Sequence, residues 1–386
     1  MIFPVKKFVW LTAVATLLAL ALSACNKKGE PAPEADEILI GEYGSMTGGT
    51  ATFGQSNHKG VEMAVDEANA AGGILGKKVR LLLEDDQGKP EEAMIAVTKL
   101  INKDRVVAVI GEVASSNSLA AGPVCQQNRI PMVSGSSTNP KVTEVGNYIF
   151  RVCFIDPFQG KVMAKFAFNS LKVKNVAVLR DVKTDYSVGL ANVFVKEFTA
   201  MGGTIVADES YSQGDKDFSA QLTTLKGKKP DAIFLPGYYT EVGLVARQAH
   251  KFGITVPLLG GDGWDSEKLW DIGGEALNGC FFSNHTAMDD PSPAIQNFVA
   301  AYKQRFGGQP DALAALGHDA AALLLDAIRR AGSAHPDSIR EALEKTKDFA
   351  GAAGVINFDA DRNAVKSAVV LEVRDGKYVY KETVTP

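Results

Sequence analysis

The chain has 386 residues, 46% of them hydrophobic and 22% charged, with a net charge of −4 that includes Lys6 and Lys7 at its start; without those two it is −6. A mildly acidic balance with no basic run argues against a nucleic-acid partner, and the length exceeds what one hydrophobic core usually organises, so two domains are expected. The four cysteines, Cys25, Cys125, Cys153 and Cys280, are too few for a disulfide-built scaffold.

The first element in chain order reads as an address. Lys6 and Lys7 precede an uncharged run from Phe8 to Leu22, too short to span a membrane comfortably, which ends in Leu22-Ser23-Ala24-Cys25. That ending resembles the lipobox of bacterial lipoproteins, whose cysteine is acylated and becomes the new N-terminus. The expectation is a signal peptide over 1–24, lipidation at Cys25, and a tether over 25–36, where no apolar residue larger than alanine or proline appears. With Cys25 so used, Cys125, Cys153 and Cys280 allow at most one disulfide, and nothing in their spacing chooses it.

From Glu37 onward, β-rich apolar runs alternate with amphipathic stretches. Strands are expected at 38–41, 79–84 and 106–111, with helices at 54–71 and 90–102 between them. In the first helix Val61, Ala64, Val65 and Ala68 share one face, while Glu62, Asp66 and Glu67 share another. This is a βαβαβ pattern, and right-handed crossovers make it a doubly wound parallel sheet. The order returns with strands at 175–179, 204–209 and 231–235 and helices at 189–201 and 217–226. Ala70-Ala71-Gly72-Gly73 and Ala200-Met201-Gly202-Gly203 end corresponding helices, where glycine permits the left-handed turn. A helix-rich segment at 293–347 follows, then a strand at 355–358 and a hairpin of 368–373 with 377–380 around Asp375-Gly376.

Signals of an enzyme are missing. Gly44-Ser45-Met46-Thr47-Gly48-Gly49-Thr50 lacks both the Gly-Lys-Ser/Thr ending and the GxGxxG spacing of nucleotide loops. The five histidines, His285 among them, form no metal-binding pair, and the simplest role for each is packing or surface. No Gly-x-Ser-x-Gly elbow occurs. Neither a cofactor nor a metal is therefore expected.

Hydroxyls, glycines and aromatics do gather after strands, where open parallel sheets bind ligands. Ser115-Ser116-Asn117-Ser118 leads into a helix, whose unpaired N–H groups suit a carboxylate. Ser134-Gly135-Ser136-Ser137-Thr138-Asn139-Pro140 is a second donor-rich loop. In the second half, Asp185-Tyr186, Gly237-Tyr238-Tyr239 and Gly260-Gly261-Asp262-Gly263-Trp264 end successive strands, and a carboxylate among aromatics fits an ammonium group. The plainer reading of Asp262 is a turn aspartate between glycines.

With these motifs, and with Thr47-Gly48, Ala51 to Gly54, Asp85-Asp86, Arg151, Asp156, Gln159-Gly160, Asp215 to Phe218, Gly354 and Phe358-Asp359, residues 37–379 resemble the leucine/isoleucine/valine-binding family of periplasmic proteins. The resemblance implies an α/β fold of two doubly wound parallel-sheet lobes joined by three crossovers. One lobe is placed at 37–155 and 286–367, the other at 156–285 and 368–386. By the same resemblance, Ser115, Ser136 and Thr138 hold a ligand carboxylate, and Asp262 holds its ammonium where the branched-chain type has glutamate. Tyr186 and Tyr238 close over the ligand and Phe53 lines its side-chain pocket; Trp264, which follows Asp262, is expected among the ligand-binding residues as well. Positions joined by a disulfide in the family are Gly88 and Ala114 here, so that bridge is lost.

The function implied is a monomeric, lipid-anchored, extracytoplasmic binding protein that delivers a small aliphatic amino acid, of the branched-chain kind, to an ABC importer permease. An alternative is a sensory module of the same fold that reports an amino acid or amide to a receptor; a third, an extracellular enzyme, lacks a nucleophile or metal pattern.

Overall fold

Burial on both faces is what most strands of this chain achieve, and it sets the architecture seen in the computed structural model, which describes residues 37–386. The expected signal peptide, tether and Cys25 lie outside those residues. The first sheet is built from β1 (Glu37–Gly44), β2 (Lys78–Asp85), β3 (Ala108–Ile110), β4 (Met132–Ser134) and β5 (Ile149–Arg151) in the order β2-β1-β3-β4-β5, all parallel. Helices α1 (Ala51–Ala70), α2 (Pro90–Asn102), α3 (Ser115–Asn128) and α4 (Lys141–Glu144) make its connections. Alternate residues feed opposite cores: Ala108 and Ile110 pack on one side of the sheet, Val109 on the other.

The second sheet takes β6 (Asn175–Asp181), β7 (Thr204–Tyr211), β8 (Ala232–Phe234), β9 (Leu258–Gly260) and β10 (Phe281–Asn284), connected by α5 (Asp156–Lys165), α6 (Asp185–Ala200), α7 (Ser219–Lys228), α8 (Tyr239–Lys251) and α9 (Glu267–Gly273). The chain then returns to the first lobe as α10 (Pro293–Phe306), α11 (Ala312–Ala331), α12 (Pro336–Glu344) and the hairpin β11 (Phe349–Gly351) with β12 (Gly354–Ile356), all packed into its core. Finally β13 (Ala368–Arg374) and β14 (Lys377–Val384) add antiparallel to the second sheet, giving the order β14-β13-β10-β9-β8-β6-β7. The chain thus passes between lobes after β5, after β10 and before β13, as a type I periplasmic binding fold requires.

Most expected elements sit within a few residues of their predicted places. α1 starts earlier than expected, at Ala51, and β11 adds a strand that the sequence reading did not include. Gly72 and Gly202 take φ of +97° and +90° at the two helix ends, but Gly203 does not; there the Phe198 ring lies where a side chain would stand. Cys125, Cys153 and Cys280 are buried and none pairs with another. Among the described residues no helix is long and apolar enough to cross a membrane.

Candidate ligand-binding site

The loops after the first-lobe strands and those after the second-lobe strands face each other, and side chains bind them together. Ser116 Oγ donates to Asp185 Oδ2 at 2.9 Å, Asn139 Nδ2 to the Asp185 carbonyl at 2.8 Å, and Thr240 Oγ1 to the Gly49 carbonyl at 2.7 Å. Thr52 and Ser266 hydroxyls meet at 2.8 Å. The lobes are therefore closed on one another.

Between them lies a small cavity. Phe53, Val113, Ser136 and Leu313 line it from the first lobe, and Tyr186, Tyr238, Asp262 and Gly263 from the second. At about 10 Å³ it has room for about one water-sized sphere. Phe53 sits in the first turn of α1 with its ring edge-on to Tyr238 at 5.3 Å and to Tyr239 at 5.0 Å, so it closes the gap from above the second lobe. Tyr186, at the start of α6, stacks on Tyr238 at 5.2 Å and accepts the Gly263 N–H at 3.0 Å. The Tyr238 hydroxyl is buried and has no hydrogen-bond partner.

Asp262 is the polar centre of this cavity. It is only 4% exposed, and its carboxylate collects three donors: Gln159 Nε2 at 3.0 Å on Oδ1, with His285 Nε2 at 3.0 Å and Ser136 Oγ at 3.3 Å on Oδ2. Burial pushes the His285 imidazole down from its ordinary pKa despite the neighbouring carboxylate, so the ring is neutral near pH 7 and donates Nε2–H. It stacks on Phe154 at 3.8 Å, and its Nδ1 is left without a partner. Gln159 also donates to Asp156 Oδ1 at 2.8 Å and accepts from Ser283 Oγ at 2.9 Å and the Asp262 N–H at 3.3 Å. Burial, and then the Asp262 charge, push Asp156 up to about 7.

Ser115 and Thr138 lie beside the lining residues Val113 and Ser136 without lining the closed cavity. Ser115 Oγ accepts the Asn139 N–H at 3.2 Å, which ties the two donor loops together. Thr138 is 1% exposed; its hydroxyl lies close enough to Asp156 to favour that carboxylate's charge, yet neither Thr138 Oγ1 nor Asp156 Oδ2 makes a hydrogen bond of ordinary geometry. α3 begins at Ser115, and the preceding Ala114 gives no side-chain cap, so the Ser115 and Ser116 N–H groups stay available to an anion while those of Asn117 and Ser118 donate to the Ala114 carbonyl. Behind the second loop stands the buried Arg151, whose guanidinium donates to the carbonyls of Ser137, Asn139 at 2.8 Å and Pro140 at 3.1 Å. Burial lowers its pKa. The loop is thus held in shape by a cation that lies outside it in sequence.

Trp264 is a correction. Its indole leaves the cavity for the core of the second sheet, donating Nε1–H to the Leu235 carbonyl at 3.0 Å and lying near Phe282. The ring fills the space over Gly260, where an added Cβ would stand 2.1 Å from it. A turn of 3-10 helix over Asp262–Trp264 sends neighbouring side chains in different directions, so closeness to Asp262 in sequence does not carry the tryptophan to the cavity. His285 and Gln159, by contrast, enter the site unexpectedly. Both are polar groups on the far side of Asp262 and carry no local pattern; Gln159 could be found only through the family motif it belongs to.

Comparison with known proteins shows the family. The family model described as periplasmic binding protein matches residues 37–377. The Leu/Ile/Val-binding protein BraC3 of Rhizobium johnstonii is 35% identical over 359 residues, which cover 90% of this chain and 92% of that protein. Among solved structures, the leucine binding protein LivK of Thermotoga maritima is 44% identical with a TM-score of 0.87, covering 90% of this chain and 99% of its own. The branched-chain amino acid transporter substrate binding protein LivJ of Streptococcus pneumoniae, in complex with isoleucine, is 36% identical with a TM-score of 0.86, covering 91% and 100%. The chain belongs to the periplasmic binding protein family.

Proposed function

We propose that this protein is the extracytoplasmic solute-binding component of an ABC importer and that it binds a small aliphatic α-amino acid, of the branched-chain kind, between its two lobes. The observation that carries the reading is Asp262: a buried carboxylate that faces an apolar and aromatic gap, opposite a donor loop and an uncapped helix N-terminus. A zwitterion needs an acid at one end and neutral or dipolar donors at the other, and an uncharged side chain suits walls made of Phe53, Val113 and Leu313. The relatives named for leucine, isoleucine and valine support the same class.

In this reading Asp262 holds the ammonium, Ser115, Ser136 and Thr138 the carboxylate, and Tyr186, Tyr238 and Phe53 close over the side chain. The lobes of 37–155 with 286–367 and of 156–285 with 368–386 move as units. No amino acid fits the gap between them as it stands, so they separate to admit the ligand, and the ligand's contacts with both favour reclosure around it. Acyl chains on Cys25 hold the monomer at the membrane, where it meets its permease.

Thermal-shift screening of the mature protein, stripped of bound ligand, against all common amino acids tests the class. Leucine, isoleucine or valine at about a hundred times Kd adds about 2.7 kcal/mol of stability. Stabilisation by sugars or nucleotides alone contradicts the proposal.

A further inference from the structure

A second and far larger cavity, of about 600 Å³, opens between the lobes beside the first. That is the size of a ligand pocket. The first lobe contributes Ser56, Tyr302, Phe306 and Asp311, and the second contributes Asp265 and Tyr378. Two aspartates line it, one from each lobe. Asp265 is 2% exposed and spends Oδ2 on both of its hydrogen bonds, from Asn284 Nδ2 and the Ala312 N–H at 2.9 Å each; Oδ1 has none. Asp311 caps α11 through Oδ1, which accepts the Ala314 N–H at 2.9 Å and a close hydrogen bond from Ser56. No cation is paired with either carboxylate among the described residues. Lys59 and Lys377 stand at the exposed rim, as do Glu267 and Asp289, so the acids outnumber the bases around the cavity.

Burial raises the proton affinity of both acids: Asp265 is pushed up to about 7 by burial and then by Asp311, and Asp311 is raised by burial. An independent feature points the same way. Tyr302 is 4% exposed, lines the cavity, and makes no hydrogen bond, with its hydroxyl near enough to Asp311 and Glu267 to feel both charges. Aromatic rings flanking two under-used carboxylates form a surface for an ammonium group with an apolar body.

We propose that this cavity is a second binding site, for a small organic amine, in which Asp265 of one lobe and Asp311 of the other share the ammonium charge. Because its acids come from opposite lobes, the site is whole only when the lobes are together. An amine bound there stabilises the closed form and, by linkage, tightens binding in the neighbouring amino-acid cavity; this second half rests on the function proposed above.

Calorimetric titration of the stripped protein with 1,4-diaminobutane, beside 1,4-butanediol, is the test. The diamine is expected to give a saturable heat and the diol none, and Asp265→Asn and Asp311→Asn to weaken diamine binding tenfold or more. Asparagine keeps an acceptor for the Ala312 and Ala314 N–H groups, and melting curves confirm that each variant is folded. Saturating diamine should tighten isoleucine binding by about fivefold or more in the wild type and leave it unchanged in Asp311→Asn. No saturable heat, an equal response to the diol, or undiminished binding in both variants overturns the site. Diamine binding with unaltered isoleucine affinity overturns the coupling, whereas diamine binding in a protein that ignores isoleucine upholds the site and removes the amino-acid reading.

Discussion

The Asp262 carboxylate and the His285 imidazole meet at 3.0 Å, Oδ2 to Nε2, with both side chains almost sealed from solvent. The contact is a hydrogen bond from a neutral ring and not an ion pair, because burial outweighs the carboxylate's pull on the histidine proton. It fixes the direction of one carboxylate oxygen from behind, as Gln159 does for the other. Asp262 is thereby oriented by neutral donors, which leaves the place of a counter-ion open to an ammonium.

Asp262→Asn removes the counter-ion of that ammonium. Binding of the preferred amino acid should weaken by about 2–5 kcal/mol, as for truncated buried charge pairs. The unliganded melting temperature should change little, since asparagine retains an acceptor for His285, and removing the charge beside Asp156 offsets the amide NH2 that then faces Gln159 Nε2. Calorimetric titration of the variant beside the wild type checks it, and near-equal affinities would return Asp262 to the role of a turn residue.

Tyr238→Phe deletes a buried hydroxyl that has no partner in the closed protein. Loss of an unpaired polar group costs the fold nothing, so stability should hold or rise. If the hydroxyl meets the ligand, affinity falls by about 0.5–1.5 kcal/mol, the worth of one neutral hydrogen bond. A parallel drop in stability and affinity would make the tyrosine a packing residue.

Burial, and then the Asp262 carboxylate, push Asp156 up to about 7 in the fold against 3.8 in an unfolded chain, with Arg151, Gln159 and Thr138 also around it. The folded state therefore binds the proton more tightly than the unfolded state does. Its stabilising contribution is complete below about pH 4 and is lost as pH rises through 7. Asp265 acts in the same direction. Unliganded protein should melt at a lower temperature at pH 8 than at pH 5.5, and Asp156→Asn should lessen that fall; an unchanged slope in the variant would show that other groups govern it.

Cys25→Ser should leave export intact and abolish membrane association, because acyl chains are the expected anchor. Fractionation after a salt wash reads this directly. A variant that remains with the membranes contradicts lipidation at Cys25.

Elements with strong periodicity were legible from sequence: α2 occupies 90–102 as expected, where proline opens a helix with a clear apolar stripe. The two glycine-ended helices marked the repeated architecture. Strand ends were less so, since β3 is only Ala108–Ile110 within a longer apolar run, although the Val107 and Gly111 N–H groups beyond its ends still donate to the Leu39 and Val133 carbonyls. For the site, residues announced by a local pattern, such as Ser136, Tyr186, Tyr238 and Asp262, do gather around one cavity. Trp264 shared that pattern but turned into the core, because direction depends on backbone torsion and not on proximity along the chain. His285 and Arg151 act through tertiary contacts with loops distant in sequence, Asp262 for one and Ser137 to Pro140 for the other, and no spacing encodes such contacts.

The most direct test of the central claim compares isoleucine with 3-methylpentanoate, which has the same carbon skeleton and carboxylate but no ammonium, in calorimetric titrations of the stripped protein. The account predicts saturable binding of isoleucine and a loss of about 30-fold or more for the acid, the low end of what an unpaired buried charge costs. Equal affinities for the two, or no heat from isoleucine at all, would contradict it.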